Sequence, residues 1–360
     1  MKNKILFDAR CIFDSGIGVY IRELIFHLEH KDLDLTLMVK NDFFERKREL
    51  NFDGNVNFII VDFDRYSFKS MYKINRIMKD YELYFMPSLS LPPIMPFSRK
   101  KVLLTIHDVC PLSKHRFFSK KVSILYYIIL YFQISASSKI FSISNFTQSE
   151  VIEWYGNNVK SKLITIPNGL TSRFNNIEPV RPNVLNSINK PYILCVGNIK
   201  PHKNISGLVQ HFLSSEYINS TFDLVIVGSS DGFLTADKSL DHNSENVFFT
   251  GFLDDNELAG LYLNAAVYVF PSFYEGFGLP LLEAMLFNIP ILASDIDVFR
   301  EIAGDSVFYF DSENFSNFDT NIAEIQKVSR DQFSIRYEEI LKKFTWVNSA
   351  SLYFEEIDKL

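Results

Sequence analysis

Apolar residues along this chain fall into short unbroken runs, and between the runs they recur every three or four positions. The runs suit strands buried on both faces and the spaced pattern suits one-faced helices, so the alternation predicts parallel sheets assembled from βα units. Predicted strands at 5–7, 36–39, 56–61, 84–87, 102–106, 140–143 and 164–166 fill the first half. The rhythm restarts at 192–196, 224–227, 247–249, 267–270, 291–294 and 307–310. Between the halves, residues 171–189 are rich in Asn and Pro and carry no period, which marks a domain boundary. Each half is long enough to bury a core of its own.

The most informative stretch is 266–294, AVYVFPSFYEGFGLPLLEAMLFNIPILAS. A strand stops at Pro271-Ser272, and the loop Gly276-Phe277-Gly278 leads through Leu279 into a helix with Pro280 near its first position. Such a helix start attracts anions, because its first N–H groups lack intrahelical partners and its dipole is positive there. Glu275 stands in the loop and Glu283 one turn inside the helix. Carboxylates are poor phosphate ligands but good acceptors for sugar hydroxyls. The pattern therefore suits a ligand that is both an anion and a polyol.

Other strand ends carry chemistry too. The first strand passes into Ser15-Gly16-Ile17-Gly18-Val19-Tyr20, where glycines allow close backbone approach; Ile21 replaces the third glycine of a dinucleotide fingerprint. Residues 102–106 deliver His107-Asp108 at a carboxyl end, where an aspartate can orient an imidazole. The strand 192–196 ends in Gly197-Asn198-Ile199-Lys200-Pro201-His202-Lys203, and Lys203 is a natural partner for a diphosphate. Asp62 and Asp64 flank one residue, as metal-binding carboxylates can, but Arg65 follows and no matching ligands appear downstream.

Together these elements resemble the retaining glycosyltransferases of the GT-B fold, specifically glycosyltransferase family 4. Tyr274-Glu-Gly-Phe-Gly-Leu-Pro-Leu-Leu-Glu-Ala-Met285 is similar to the family's donor signature, with its two glutamates separated by seven residues. The S-G-I-G-V-Y turn, T-I-H-D ending at Asp108, I-P-N-G ending at Gly169 and the closing Phe344-Thr345-Trp346 resemble further family elements. The resemblance implies an α/β protein with two Rossmann-like domains whose parallel sheets face across a cleft. Residues 1–170, rejoined by the C-terminal helix 346–360, would form the acceptor domain and 171–345 the donor domain. It implies catalytic roles for His107, Glu275 and Lys203. Donor contacts would come from Gly16, Gly18, Gly197, Lys203, Phe252, Glu275, Gly276, Phe277, Gly278, Leu279 and Glu283, with Phe252 in the turn that holds the base. Glu283 would grip the ribose and Glu275 the transferred sugar. Asn198 and His202 stand where many members have arginines, which leaves the diphosphate more dependent on Lys203.

The implied reaction moves a hexose, first mannose from GDP-mannose, with retention onto a glycan or polyprenyl-linked acceptor in bacterial O-antigen or capsule assembly. No cofactor and no metal are expected. Rival readings are an epimerase or phosphorylase on the same fold, a nicotinamide oxidoreductase, or a non-catalytic sugar-nucleotide binding module.

Composition narrows the setting. A net charge of −6 argues against a general nucleic-acid binder, and the widely spaced Cys11, Cys110 and Cys195 read as buried thiols in a reducing compartment. Met1-Lys2-Asn3-Lys4 runs straight into a strand without a signal-peptide pattern, so a cytoplasmic protein is expected. Residues 117–134, FFSKKVSILYYIILYFQI, are the most apolar helix-length segment, too short to span a bilayer. They suit either a wholly buried helix or one in peripheral contact with the inner face of the plasma membrane, where tyrosines and flanking cations favour the interface.

Overall fold

Parallel pairing buries a strand on both faces, which is why the strands here are continuous apolar runs rather than alternating ones. The computed structural model describes residues 4–29, 31–46, 50, 56–91, 101–228 and 245–360. Met1–Asn3, Ser229 and Ser230, the last two expected from sequence to turn the chain after the strand at 224–227, lie outside them. The chain divides into two compact units: one extends to Leu112 and includes Ser119–Gly169 and Phe344–Leu360, the other comprises Ser113–Phe118 and Leu170–Lys343.

In the first unit, β1 (Lys4–Asp8), β2 (Asp34–Lys40), β3 (Asn57–Val61), β4 (Leu83–Met86), β5 (Lys101–Ile106), β6 (Lys139–Ser142) and β7 (Leu163–Thr165) form one parallel sheet in the order β3-β2-β1-β4-β5-β6-β7. In the second, β8 (Tyr192–Val196), β9 (Asp223–Val227), β10 (Val247–Gly251), β11 (Val267–Phe270), β12 (Ile291–Ser294) and β13 (Phe308–Phe310) run β10-β9-β8-β11-β12-β13. Both sheets reverse direction of growth at their first strand, between β1 and β4 and between β8 and β11. In doubly wound sheets such a reversal opens a crevice beyond the carboxyl ends of the strands, so these are the places to look for ligands.

The closing helix Trp346–Asp358 belongs to the first unit, as its F-T-W element implied. Trp346 and Tyr353 meet the buried Tyr20 ring edge-on, and the Tyr20 hydroxyl lies 2.8 Å from Tyr353 Oη and 2.9 Å from Thr105 Oγ1. Gly169 is required by this packing: a Cβ there would sit 2.1 Å from the Trp346 backbone nitrogen.

The helix Lys120–Ala136 is not the buried core helix that its composition allowed. Only a narrow stripe faces the unit, with Leu130, Gln133 and Ile134 buried, while Ile124, Leu125, Tyr131 and Phe132 are at least half exposed. No helix of the described residues is long and apolar enough to cross a membrane. Cys11, Cys110 and Cys195 are buried and unbridged.

Candidate functional site

In the second unit the site grows from the loops after the two central strands. After β8, the 3-10 turn Pro201–Lys203 ends at Asn204 in the left-handed conformation, and the helix Ile205–Ser214 begins. After β11, the chain runs through Ser272 and Glu275 to Gly278, whose φ of 109° caps the helix Leu279–Leu286. A side chain at Gly278 would also meet the Phe299 ring at 2.9 Å, so both conformation and space demand glycine. The Phe273 N–H donates to the His202 carbonyl at 2.9 Å and ties the loops together. Gly197 and Gly228 let the ends of β8 and β9 approach, since a Cβ at Gly228 would fall 2.0 Å from the Gly197 oxygen.

This arrangement brings Lys203 and Glu275 into direct contact. Lys203 Nζ is 2.5 Å from Glu275 Oε1, and Ser272 Oγ donates to the same oxygen at 2.7 Å. Read from sequence, the lysine served the diphosphate and the glutamate the sugar; in the structure they form one charge pair. Both side chains are mostly buried, at 20% and 10% exposure, so the pair is shielded from the screening that weakens surface bridges.

Glu283 forms a second cluster. Its Oε2 accepts from Arg173 Nη2 at 2.7 Å and from Tyr262 Oη at 3.0 Å, and its side chain is only 5% exposed. Such a carboxylate is held in one orientation and is no mere dipole-complementing residue. Arg173 lies over the Phe174 ring, and its Nη1 is 3.6 Å from Asp255. Sequence reasoning missed Arg173, because it occupies a 3-10 turn in the aperiodic stretch taken as linker. It also gave Tyr262 and Ser272 no role.

The other proposed donor residues separate by exposure. Phe277 is 3% exposed and belongs to the core, so only its backbone can face a ligand. Phe252, beyond β10, is 89% exposed and offers a ring face. His202 does not replace a missing arginine: burial, then Lys203 and Lys200, push its imidazole down to about 3, so it is neutral at pH 7.

In the first unit the S-G-I-G turn follows β1 and starts the helix Gly16–Leu28. Gly18 packs tightly, a Cβ there falling 2.7 Å from the Ile12 oxygen, whereas Gly16 has open space on that side. Tyr20 of the same motif meets His107 edge-on at 4.7 Å. His107 Nε2 lies 2.7 Å from the Pro87 carbonyl, which can only accept, so Nε2 carries the proton and Nδ1 the lone pair. This corrects the idea that Asp108 orients the ring; Asp108 Oδ1 instead accepts the Cys110 N–H at 2.8 Å. Burial is the main reason the His107 imidazole falls to about 4, with Arg65 adding to it and the Pro87 bond opposing. At neutral pH it is a hydroxyl acceptor rather than a cationic acid.

Asp62 pairs with Lys69 and Lys73 at 2.8 Å each, and Asp64 pairs with Lys40, so these carboxylates are directed to separate lysines. Asp64 lines a cavity of about 470 Å³ with Arg10, Asp14, Lys40, Arg65 and Tyr66, beyond the carboxyl ends of β1 to β3. Arg65 spans Ser88 and Asp14 at its edge, at 2.9 and 2.8 Å.

Comparison with known proteins places this geometry. Residues 177–339 match the model of the glycosyl transferases group 1, and residues 15–173 that of Glycosyltransferase Family 4. The chain is 27% identical to the O-antigen chain mannosyltransferase B of Escherichia coli over 77% of this chain and 74% of that protein. It is 25% identical to the O-antigen chain mannosyltransferase RfbU of Salmonella typhimurium, covering 67% and 69%. Among solved structures, the sucrose-phosphate synthase of Thermosynechococcus elongatus superposes with a TM-score of 0.74 at 16% identity over 99% of both chains. Anabaena Alr3699/HepE in complex with UDP and glucose gives 0.72 at 16% identity, over 99% of this chain and all of that one. These likenesses carry the fold, GT-B. The two family matches lie end to end over most of the sequence, and the chain belongs to the group 1, family 4 glycosyltransferases, enzymes that transfer hexosyl groups.

Proposed function

We propose that this enzyme transfers mannose from GDP-mannose, with retention of anomeric configuration, to a polyprenyl-linked glycan during surface-polysaccharide assembly at the inner face of the plasma membrane. The observation that carries the reading is the pair of anchored carboxylates in the second unit. Glu283, fixed by Arg173 and Tyr262, is set to accept the two ribose hydroxyls. Glu275, beside Lys203, is set to accept hydroxyls of the sugar while the lysine meets the diphosphate. The mannosyl relatives favour the sugar.

In this reading the bond from the anomeric carbon to the diphosphate oxygen breaks, and the diphosphate leaves with the electron pair. Lys203 and the N–H groups at Gly278 and Leu279 stabilise the charge that develops there, with no metal required. The acceptor hydroxyl attacks the same face and gives its proton to the departing phosphate oxygen. Asp14, Asp64, Arg65 and Tyr66 around the first unit's cavity are suited to acceptor hydroxyls and a sugar ring face. His107, neutral, contributes a hydrogen bond through Nδ1 and no proton.

The test is turnover of radiolabelled GDP-mannose with a polyprenyl-diphosphate glycan, with the product linkage read by NMR. An α-linked product formed at an undiminished rate in EDTA is expected. A β-linked product overturns retention, loss of activity in EDTA with rescue by a divalent ion overturns the metal-free step, and turnover of another sugar nucleotide alone overturns the donor.

A further inference from the structure

The helix Lys120–Ala136 is built the wrong way round for a surface helix. Its inward stripe is narrow and partly polar: Gln133 Nε2 donates to the Ser90 carbonyl at 2.7 Å, Ser123 Oγ to Pro111 at 2.6 Å and Tyr126 Oη to Asp108 at 2.7 Å. Its outward surface is apolar, with Val122 44%, Ile124 60%, Leu125 58%, Ile128 44%, Tyr131 50% and Phe132 55% exposed. The patch continues onto the neighbouring helix Asn145–Tyr155, where Tyr127 stacks on Tyr155 at 4.9 Å and approaches the exposed Trp154 at 6.5 Å. A contiguous apolar surface of this size marks an interaction site.

Charge selects the occupant. The chain carries 43 acidic residues among 360, yet none lies between Lys120 and Ala136, while Lys120 and Lys121 stand exposed at the helix's start. At the other end, Lys162 donates to the carbonyls of Ile134 and Ser137, so a cation closes the helix there as well. The neighbouring helix brings one exposed acid, Glu153, beside its two aromatics. Apolar residues between cations, with Tyr and Trp at the margin, match the layering of an anionic lipid surface: acyl chains within, headgroups at the tyrosine level, phosphate at the lysines. At 17 residues the helix is about 25 Å long and lies along such a surface rather than crossing it.

We propose that this helix, with Trp154 and Tyr155, docks the first unit on an anionic membrane, holding it where a lipid-linked acceptor is presented. The purpose rests on the reading of the acceptor above, but the docking does not, and the two are measured separately. Sedimentation with phosphatidylglycerol vesicles, beside phosphatidylcholine vesicles and at rising salt, reads docking without turnover. Wild type is expected to bind the anionic vesicles at least about tenfold better, with binding weakened by salt. Ile128→Ser with Phe132→Ser, both at exposed positions, is expected to reduce binding at least about tenfold, and Lys120→Glu with Lys121→Glu to remove the preference for anionic lipid. Both variants are expected to keep wild-type turnover on a water-soluble acceptor, which also reports that they are folded. Absence of wild-type binding at low salt, or unaltered binding by the serine variant, overturns the proposal and leaves the transferase reading standing. So does a dimer in analytical ultracentrifugation that the serine variant abolishes, which would assign the surface to a second copy.

Discussion

The contact between Lys203 and Glu275 makes an unusual demand on nucleotide binding. A diphosphate that reaches the lysine must share it with a carboxylate 2.5 Å away that is itself anionic. A hydrogen bond to a charged group contributes about 1.5–3 kcal/mol net once desolvation is counted. Glu275→Gln keeps an acceptor for Ser272 and nearly the same volume but removes the competing charge. If the diphosphate recovers about half of that interaction, GDP should bind about three- to tenfold more tightly to the variant. Turnover should move the other way, falling about a hundredfold or more, because the sugar loses the acceptor that positions it. Isothermal titration with GDP, set beside steady-state rates with GDP-mannose, separates the effects. Lys203→Ala should weaken GDP in the wild-type background and erase the gain in the glutamine variant, since the gain exists only through the lysine. A Glu275→Gln enzyme that binds GDP tenfold worse would show that the carboxylate contacts the nucleotide itself, and the division of roles between the two glutamates would be wrong.

Arg173→Met leaves the 5%-exposed Glu283 carboxylate with Tyr262 as its remaining hydrogen-bond partner and should cost about 2–3 kcal/mol of stability, below the usual range for breaking a buried pair because the arginine is 27% exposed. Adding Glu283→Gln should restore the melting temperature but not GDP affinity, and restoration of both would reduce the pair to a structural role. His107, lowered to about 4 in the fold, favours the neutral form, so its contribution is present above pH 6.5 and is lost as pH falls towards 4. Urea midpoints between pH 7 and 4 should decline less steeply in His107→Gln, and an identical decline would refute the assignment. Gly169→Ala places a methyl 2.1 Å from the Trp346 nitrogen and 2.4 Å from the Thr345 carbonyl carbon, neither of which can yield like a flexible side chain. It should loosen the closing helix by more than about 3 kcal/mol, seen as altered emission from one of the two tryptophans; an unchanged spectrum and melting temperature would contradict the packing.

What could be read from the residues divides along physical lines. The strands were legible because parallel sheets need uninterrupted apolar runs, and both sheets followed. Gly278, with its φ of 109°, was legible for the same kind of reason: one residue type fits a conformation. Arg173 was not, because nothing local marks an arginine in an aperiodic turn whose partner lies 110 residues away. Nor could composition distinguish Phe277 from Phe252, one 3% and the other 89% exposed within similar aromatic loops. The helix Lys120–Ala136 was ambiguous in principle, since a helix apolar on most sides has the same sequence whether protein or lipid covers it. Ser113–Phe118 joins the second unit although it lies within the first in sequence, with His115 stacked on Phe273 at 5.7 Å and 3.5 Å from Glu313. Only three-dimensional contacts reveal such an exchange.

The two ion pairs also explain how this enzyme can lack arginines at Asn198 and His202. With His202 neutral, the loop after β8 brings the charge of Lys200 and Lys203 alone. Lys203 in the resting site is held by Glu275, whose carboxylate is itself fixed by Ser272, rather than swinging in solvent, so little side-chain entropy remains to be lost when a diphosphate arrives. The same logic applies to Glu283, whose orientation is set by Arg173 and Tyr262 before any ribose is bound. Pre-organisation of this kind lets fewer charges do the binding, and it favours the step in which charge appears. As the glycosidic bond breaks, negative charge accumulates on the diphosphate, and the lysine's share of attraction shifts from the carboxylate towards it. An interaction that strengthens only as the bond breaks lowers the barrier without tightening the ground state. In the proposed reaction Glu275 would thus moderate donor affinity while it positions the sugar.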